Sequence, residues 1–331
     1  VTALPARSLG AGLTVSALGL GTIGLSPGVY GEISEDEAVR AIRGALDGGV
    51  TLIDTADAYG SRGEGERLVG RAIEGRREEV VLSTKFGYAG PDQGRRISVG
   101  YRMKLFVDGS PEHVARAIDA SLERLGVDRI DLWYLHFPDP GVAVEETVGA
   151  MAEQVRAGKV GHLGLSNVTA DELRRAAAVH PIAAVQTEYS LWHRDPEREL
   201  IPACDETGTG LVAWGPLGSG FLADRRFLSG EIKEMPGRDF RSRNARFSPE
   251  NLAANVSAFG SILDLARQHG YTPAQLALAW LMAKGAVPIP GAGRPQHLAE
   301  NLAAGGLSLS PELLAEVDTR FPAAAGAAFR A

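Results

Sequence analysis

Short apolar runs alternate with longer amphipathic stretches through nearly the whole chain, and this pattern restricts the fold more than any other feature. The runs fall at residues 17–20, 51–54, 80–84, 131–136, 161–166, 184–187, 211–214 and 286–289. Each has the character of a buried strand, and each intervening stretch leaves room for a crossover helix, the arrangement of a parallel sheet wrapped by helices. Helix starts are marked by capping chemistry: Ser34 before Glu35-Asp36-Glu37, Ser110-Pro111 before Glu112, Thr169 before Asp171-Glu172, and Thr272-Pro273 before Gln275. Eight strand–helix units close more naturally as a barrel than as an open sheet. The predicted fold is therefore α/β, a single (β/α)8 TIM barrel over residues 1–331, with an N-terminal hairpin, extra loops and a C-terminal helix.

An open, doubly wound sheet is the main rival, because Gly19-Leu20-Gly21-Thr22-Ile23-Gly24 spells the GxGxxG of a dinucleotide-binding turn. That motif needs a helix to start at once, and Ser26-Pro27-Gly28 stands where it would begin. Residues 7–15, centred on Gly10-Ala11-Gly12, read as a hairpin closing the barrel bottom. Residues 87–109 read as a glycine- and charge-rich loop covering a site, and 224–249 as a second, arginine-rich insertion. The alanine-rich tail from Ala323 is expected to be mobile.

The net charge of -7 is opposite to that of a general nucleic-acid binder. Arg76-Arg77 and Arg225-Arg226 are read as solvated surface. No run of 18 apolar residues occurs, and residues 1–10 lack a basic segment followed by an apolar core, so a cytoplasmic protein without membrane or nucleic-acid partners is expected. Cys204 is the sole cysteine, expected to be a buried structural thiol, and the seven histidines show no HExxH or other compact ligand pair, so no metal is expected.

In such a barrel the chemistry sits at the carboxyl ends of the strands. There the second predicted strand delivers Asp54 and, one turn on, Tyr59; the third ends at Lys85 and the fourth at His136. Singly, Asp54 is a loop cap, Tyr59 a rim aromatic, Lys85 a surface charge and His136 a structural imidazole. Together at one end they form a tuned acid. A phenol near pKa 10 is a poor proton donor at neutrality, and an adjacent ammonium, held charged by a carboxylate, is expected to lower it. His136 would hydrogen-bond a carbonyl oxygen or share in the proton transfer.

At these residues the sequence resembles the aldo-keto reductases. The resemblance rests on Asp54-Thr55-Ala56-Asp57-Ala58-Tyr59-Gly60, Gly65-Glu66-Arg67-Leu68-Val69-Gly70, Ser83-Thr84-Lys85-Phe86-Gly87, Leu122 to Leu132, Gly158-Lys159-Val160-Gly161 and Gly164-Leu165-Ser166-Asn167. The stretch Glu188-Tyr189-Ser190-Leu191-Trp192-His193-Arg194-Asp195 is similar to the branch with perakine reductase and auxin-induced-like proteins. The resemblance implies that Asp54, Tyr59, Lys85 and His136 form a catalytic tetrad reducing a small-molecule aldehyde or ketone. It implies NADPH lying across the barrel mouth, with Ser166, Asn167 and Gln186 on the nicotinamide amide and Trp214, often tyrosine in the family, stacked on its ring. The loop Gly215-Pro216-Leu217-Gly218-Ser219-Gly220 is similar to a pyrophosphate strap, whose glycines let backbone N–H groups approach an anion. Gly21 and Thr22 should also touch the cofactor, as should Gly291, Gly293, Arg294, His297, Glu300 and Asn301 around its adenosine phosphate. Gly291 and His297 stand where better-known members carry lysine and arginine. Selection for NADPH then rests on Arg294, helped by residues 241–246, and use of NADH stays open.

Tyr30, Phe86, Tyr88, Phe137 and Trp192 are candidates for an apolar substrate pocket. Two other functions stay open: a cofactor-binding regulatory subunit with slow turnover, and a Schiff-base aldolase using Lys85. Both monomers and homo-oligomers fit the sequence.

Overall fold

The computed structural model describes residues 4–26, 33–100, 103–237 and 239–326. The chain opens with β1 (Ala6–Ser8) and β2 (Thr14–Ser16), antiparallel, with Ala6 opposite Ser16. Their turn brings Gly10 so near the chain at Ile182, Ala183 and Gly208 that a Cβ there would lie 2.4 Å from the Gly208 carbonyl oxygen. The expected hairpin is thus present, seated under the amino-terminal ends of two barrel strands. Its Leu9, Leu13 and Val15 pack with Leu52, Leu132, Val212 and Val287 and fill the barrel from below.

The barrel strands are β3 (Leu20–Gly21), β4 (Leu52–Asp54) and β5 (Val81–Phe86), followed after an inserted pair, β6 (Arg95–Val99) and β7 (Met103–Val107), by β8 (Ile130–Leu135) and β9 (Val160–Ser166). The set ends with β10 (Ile182–Glu188), β11 (Gly210–Trp214) and β12 (Val287–Pro288). They pair in parallel in the order β12-β11-β10-β9-β8-β5-β4-β3. The ring then closes on itself: the N–H of Gly19 donates to Pro288 O at 2.9 Å and that of Gly21 to Pro290 O at 3.4 Å. At this seam a Cβ on Gly21 would sit 2.7 Å from Ile289 O, and one on Gly19 would sit 2.8 Å from the Ile289 side chain. The glycines of the GxGxxG string therefore admit the last strand beside the first. A 3-10 turn, Ile23–Leu25, follows them in place of a dinucleotide-binding helix.

Seven of the eight strands lie within two residues of their predicted positions at each end. The first does not, because the Ala17 N–H still pairs with Pro5 O in continuation of the hairpin. All four predicted caps are made: Ser34, Thr169 and Thr272 form complete capping boxes, and Ser110 accepts from the His113 N–H. Between strands and helices lies the main core, from Leu20 and Ile53 through Trp133 and Leu163 to Trp280. Cys204 is buried at its edge, and burial pushes its thiol up to about 12.

The stretch 87–109 is more ordered than a covering loop: β6 and β7 form a hairpin with Arg95 opposite Val107. Buried Asp139 moors it, accepting from Arg95 Nε at 3.1 Å and from the N–H groups of Gly109 and Gly141. The insertion at 224–249 holds a helical turn, Arg225–Leu228, and two 3-10 turns. Within the described part of the alanine-rich tail, Ala325 is tied down, its N–H donating to Asn255 Oδ1 at 2.6 Å. Among the described residues no helix is long and apolar enough to cross a membrane.

Candidate active site

Strand periodicity aims the polar groups. In β5, Ser83 and Lys85 share one face, so both reach the barrel interior while Thr84 and Phe86 turn to the helices. Asp54 ends the neighbouring strand. Lys85 Nζ lies 2.5 Å from Asp54 Oδ1, 2.8 Å from Thr55 O and 3.1 Å from Tyr59 Oη. The other carboxylate oxygen of Asp54 accepts from Ser83 Oγ and Gln186 Nε2, each at 2.8 Å. Tyr59 is held by the backbone: the Gly65 N–H donates to its carbonyl, and a Cβ on Gly65 would come 2.8 Å from Tyr59 Cβ.

His136 leaves β8 beside them. Its ring meets Tyr59 edge-on at 6.1 Å between centroids and Tyr88 at 4.9 Å. Its carbonyl accepts from Asn167 Nδ2 at 3.0 Å, and Asn167 takes a left-handed conformation (φ 57°) to reach it, a geometry asparagine tolerates. The Nδ1 atom of His136 is buried with no hydrogen-bond partner among the described residues.

The electrostatics depart from expectation at Tyr59. Burial raises its pKa above the usual 10, and the nearby Lys85 ammonium pulls it down without cancelling that rise. The phenol therefore holds its proton firmly at neutrality. Burial also opposes the charge on Lys85, but Asp54 and Tyr59 outweigh it and its pKa ends above 10.5. An amine so held is a poor Schiff-base nucleophile. Burial, with the Lys85 charge, drives His136 well below the usual imidazole range, so it stands neutral and acts as a hydrogen-bonding group.

A groove of about 770 Å³ runs along the barrel mouth. It is lined by Gly215, Pro216, Leu217, Ser219 and Gly220 on one side and Gly291, Gly293, Arg294, His297, Glu300 and Asn301 on the other. Gly218 lies beneath, where a Cβ would strike the Trp192 ring at 2.4 Å. Gly215, Gly218, Ser219 and Gly220 all have φ between 54° and 90°, a run that turns successive backbone N–H groups and suits an anion. The groove's inner residues Ile23 and Pro290 adjoin Gly21 and Thr22, and the Thr22 hydroxyl donates to Asp54 O at 2.9 Å. Ser166, Asn167 and Gln186 lie beside the tetrad, and Asn167 and Trp214 together border a small cavity of about 250 Å³ next to it.

Sequence reasoning missed several residues here. Glu37, Arg225 and Arg226 also line the groove, so the Arg225-Arg226 pair read as plain surface belongs to its wall, which Arg241, expected as a helper of Arg294, lines as well. Arg226 is tied to Asp224, and Arg241 to Asp239 and Ser219 O. Arg225 and Arg294 have no side-chain ion pair or hydrogen bond among the described residues, which leaves two uncommitted guanidinium groups facing the groove. Ser83 was missed too, although its two-residue offset from Lys85 signals the same face.

The aromatic candidates separate. Tyr88 and Phe137 flank His136, with Phe137 stacked on its ring at 5.1 Å. Phe86 is fully buried on the helix side of β5, stacked on Trp133 at 4.1 Å, and lines neither the groove nor the small cavity beside it. Trp192 is likewise core, stacked on Phe221 at 4.6 Å. Tyr30 lies outside the described residues.

Comparison with known proteins agrees with this geometry. Residues 17–320 match the model of the aldo/keto reductase family. A probable aldo-keto reductase from Glycine max is 40% identical over 314 residues, covering 94% of this chain and 87% of that protein. The solved glycerol dehydrogenase of Gluconobacter oxydans superposes with a TM-score of 0.81 at 27% identity, covering 95% of this chain and 94% of the other. An aldo-keto reductase from Klebsiella pneumoniae in complex with NADPH superposes at 0.73 with 29% identity, over 100% of this chain and 99% of the other. A barrel closed at a glycine seam, four polar residues at its mouth and a family match spanning nearly its full length make this chain a member of the aldo/keto reductase family.

Proposed function

We propose that the chain reduces aldehydes or ketones to alcohols with NADPH, using Tyr59 as general acid. The observation that carries this reading is the buried relay Asp54–Lys85–Tyr59, placed where the glycine-lined groove meets the barrel interior. When bound in that groove, NADPH would supply the hydride for the carbonyl carbon. The strap backbone and the two uncommitted arginines would hold its phosphates, and Ser166, Asn167 and Gln186 its amide end.

The rest of the chemistry belongs to the protein. Tyr59 keeps its proton until negative charge develops on the substrate oxygen, and then donates it. Lys85, 3.1 Å away, stabilises the phenolate left behind, and Asp54 holds that ammonium charged and aimed. His136, neutral, orients the carbonyl oxygen without competing as an acid. Tyr88 and Phe137 supply the apolar surface beside it.

The test follows reduced-nicotinamide absorbance with a panel of aromatic and aliphatic aldehydes, ketones and sugars. Tyr59→Phe should lower turnover by about 10²–10⁴-fold while leaving cofactor affinity unchanged. Undiminished turnover in the variant would refute the assignment. Tight NADPH binding by the wild type without turnover on any substrate would favour the regulatory-subunit reading instead.

A further inference from the structure

The insertion at 224–249 reaches the groove through Arg241 and is fastened to the barrel through Arg246. Arg246 is buried, and its Nη1 lies 2.6 Å from Glu188 Oε1 at the end of β10, two residues beyond Gln186. Its guanidinium stands over the Trp192 ring at 5.4 Å, and the neighbouring Phe247 meets that ring edge-on at 5.2 Å. Trp192 is the floor beneath Gly218 of the strap, and Arg241 grips the strap from the side by donating to Ser219 O at 3.2 Å. A hold on Arg246 is therefore a hold on the groove wall.

His193 completes that hold. Its Nδ1 lies 3.1 Å from Arg246 Nη2. A guanidinium only donates, so Nδ1 must accept, and the bond exists only while that nitrogen carries no proton. Asp195 Oδ2, on an exposed side chain, stands 3.8 Å from the same nitrogen, too far to bond it now but placed to accept from it once it is protonated. Adding a proton thus exchanges one partner for the other, because a charged ring would face the Arg246 cation across a donor–donor contact. Arg246 has little in reserve: its Nε is buried without a hydrogen-bond partner among the described residues, which leaves Glu188 to hold the guanidinium.

The charged groups facing His193 are Glu188 from β10, Arg246 from the insertion and Asp195 from its own loop. Burial opposes charge on the ring and outweighs Glu188, which favours it, while Arg246 and Asp195 pull in opposite directions. The ring therefore titrates below the usual 6.5 and is neutral at physiological pH.

We propose that His193 is a proton-operated latch on the cofactor groove: neutral, it holds Arg246 and the wall in place; protonated, it turns to Asp195, loosens residues 239–247 and lets the dinucleotide leave faster. The proposal rests on the groove holding the dinucleotide of the proposed reaction, and not on which carbonyl compound is reduced.

Three measurements on the full chain test it. Nitrogen-15 spectra of the histidine rings, assigned with His193→Gln, read the proton directly: Nδ1 of His193 should be bare at about pH 8 and protonated as pH falls toward about 5. Release of NADP+, followed by stopped-flow displacement, should quicken about tenfold over that range in the wild type. His193→Gln, whose side-chain carbonyl can accept from Arg246 and does not titrate, should lose most of that rise, and use of one ligand cancels any titration of its own phosphates. Hydrogen exchange of the backbone amides at 239–247, compared between the two proteins at each pH, should show the same contrast with no cofactor added. Asp195→Asn, a change on an exposed side chain, should move the step in release to lower pH, since the charged ring loses its acceptor. A proton on Nδ1 at about pH 8, a ring still neutral at about pH 5, equal pH dependence in wild type and His193→Gln, or a step unmoved in Asp195→Asn would each overturn the proposal. None of these readouts involves turnover, so a chain that reduces nothing still tests it. Failure to bind NADP+ would refute the reading of the groove and leave the ring spectra and the exchange to decide on the latch.

Discussion

Asp57 offers a quantitative check on the electrostatics behind the site. It stands between Asp54 and Tyr59, its N–H donates to Lys85 O at 3.1 Å, and its Oδ1 is buried with no hydrogen-bond partner among the described residues. Burial first, then the charge of nearby Glu66, raises its carboxyl from 3.8 to about 8, with Arg124 and Lys85 pulling the other way. The folded chain thus keeps a proton that the unfolded chain releases near pH 4. The native state therefore loses stability as pH rises from about 4 to about 8, with no further loss above that. Asp57→Asn removes the titration. Between about pH 5 and pH 9 the shift sets a ceiling of ~4 kcal/mol, at ~1.4 kcal/mol per unit. Asp57 keeps part of its surface in water, so the advantage of the variant should grow by about 2 kcal/mol over that window. Urea unfolding of both proteins at the two pH values measures it. An equal stability difference at both, or a wild type that gains on the variant as pH rises, would refute the reasoning.

Two further substitutions test other parts of the structure. Gly21→Ala places a methyl 2.7 Å from Ile289 O, with backbone on both sides, and should cost about 1–3 kcal/mol in thermal or urea unfolding; a neutral effect would mean that the seam has slack. Arg294→Ala should raise the KM for NADPH roughly tenfold more than that for NADH, since it removes an uncommitted charge from the groove; equal changes would transfer reading of the 2′-phosphate to Arg225.

Much of this molecule could be read from its sequence because the deciding signals were local. Capping oxygens at Ser34, Ser110, Thr169 and Thr272 act within one turn, and Lys85 and Asp54 end strands whose direction a parallel barrel fixes. Reading failed where the answer depended on which face a residue takes or on a distant partner. Phe86 follows Lys85 directly and so must point away from it, a period-two argument that an aromatic residue near a site easily obscures. Trp192 is claimed by Phe221 and Phe247, residues far along the chain. The Arg225-Arg226 pair acquires meaning only when the strap folds against 291–301, and the charges of β6 masked its pairing with β7. The lowered Tyr59 pKa failed for another reason: proximity to Lys85 was foreseen, whereas the depth of burial was not.

The seam has a kinetic consequence. The hydrogen bonds from Gly19 and Gly21 to Pro288 and Pro290 join segments separated by most of the chain, and Arg7 reaches Met282 O across a similar span. Closing so long a loop is entropically costly, and that cost must be met before the contact gives anything back. The ring is therefore expected to close late in folding, after neighbouring strands have paired in sequence. A fragment lacking its last strand would then be an open sheet with an unpaired edge at β3, the kind of surface through which incomplete chains associate.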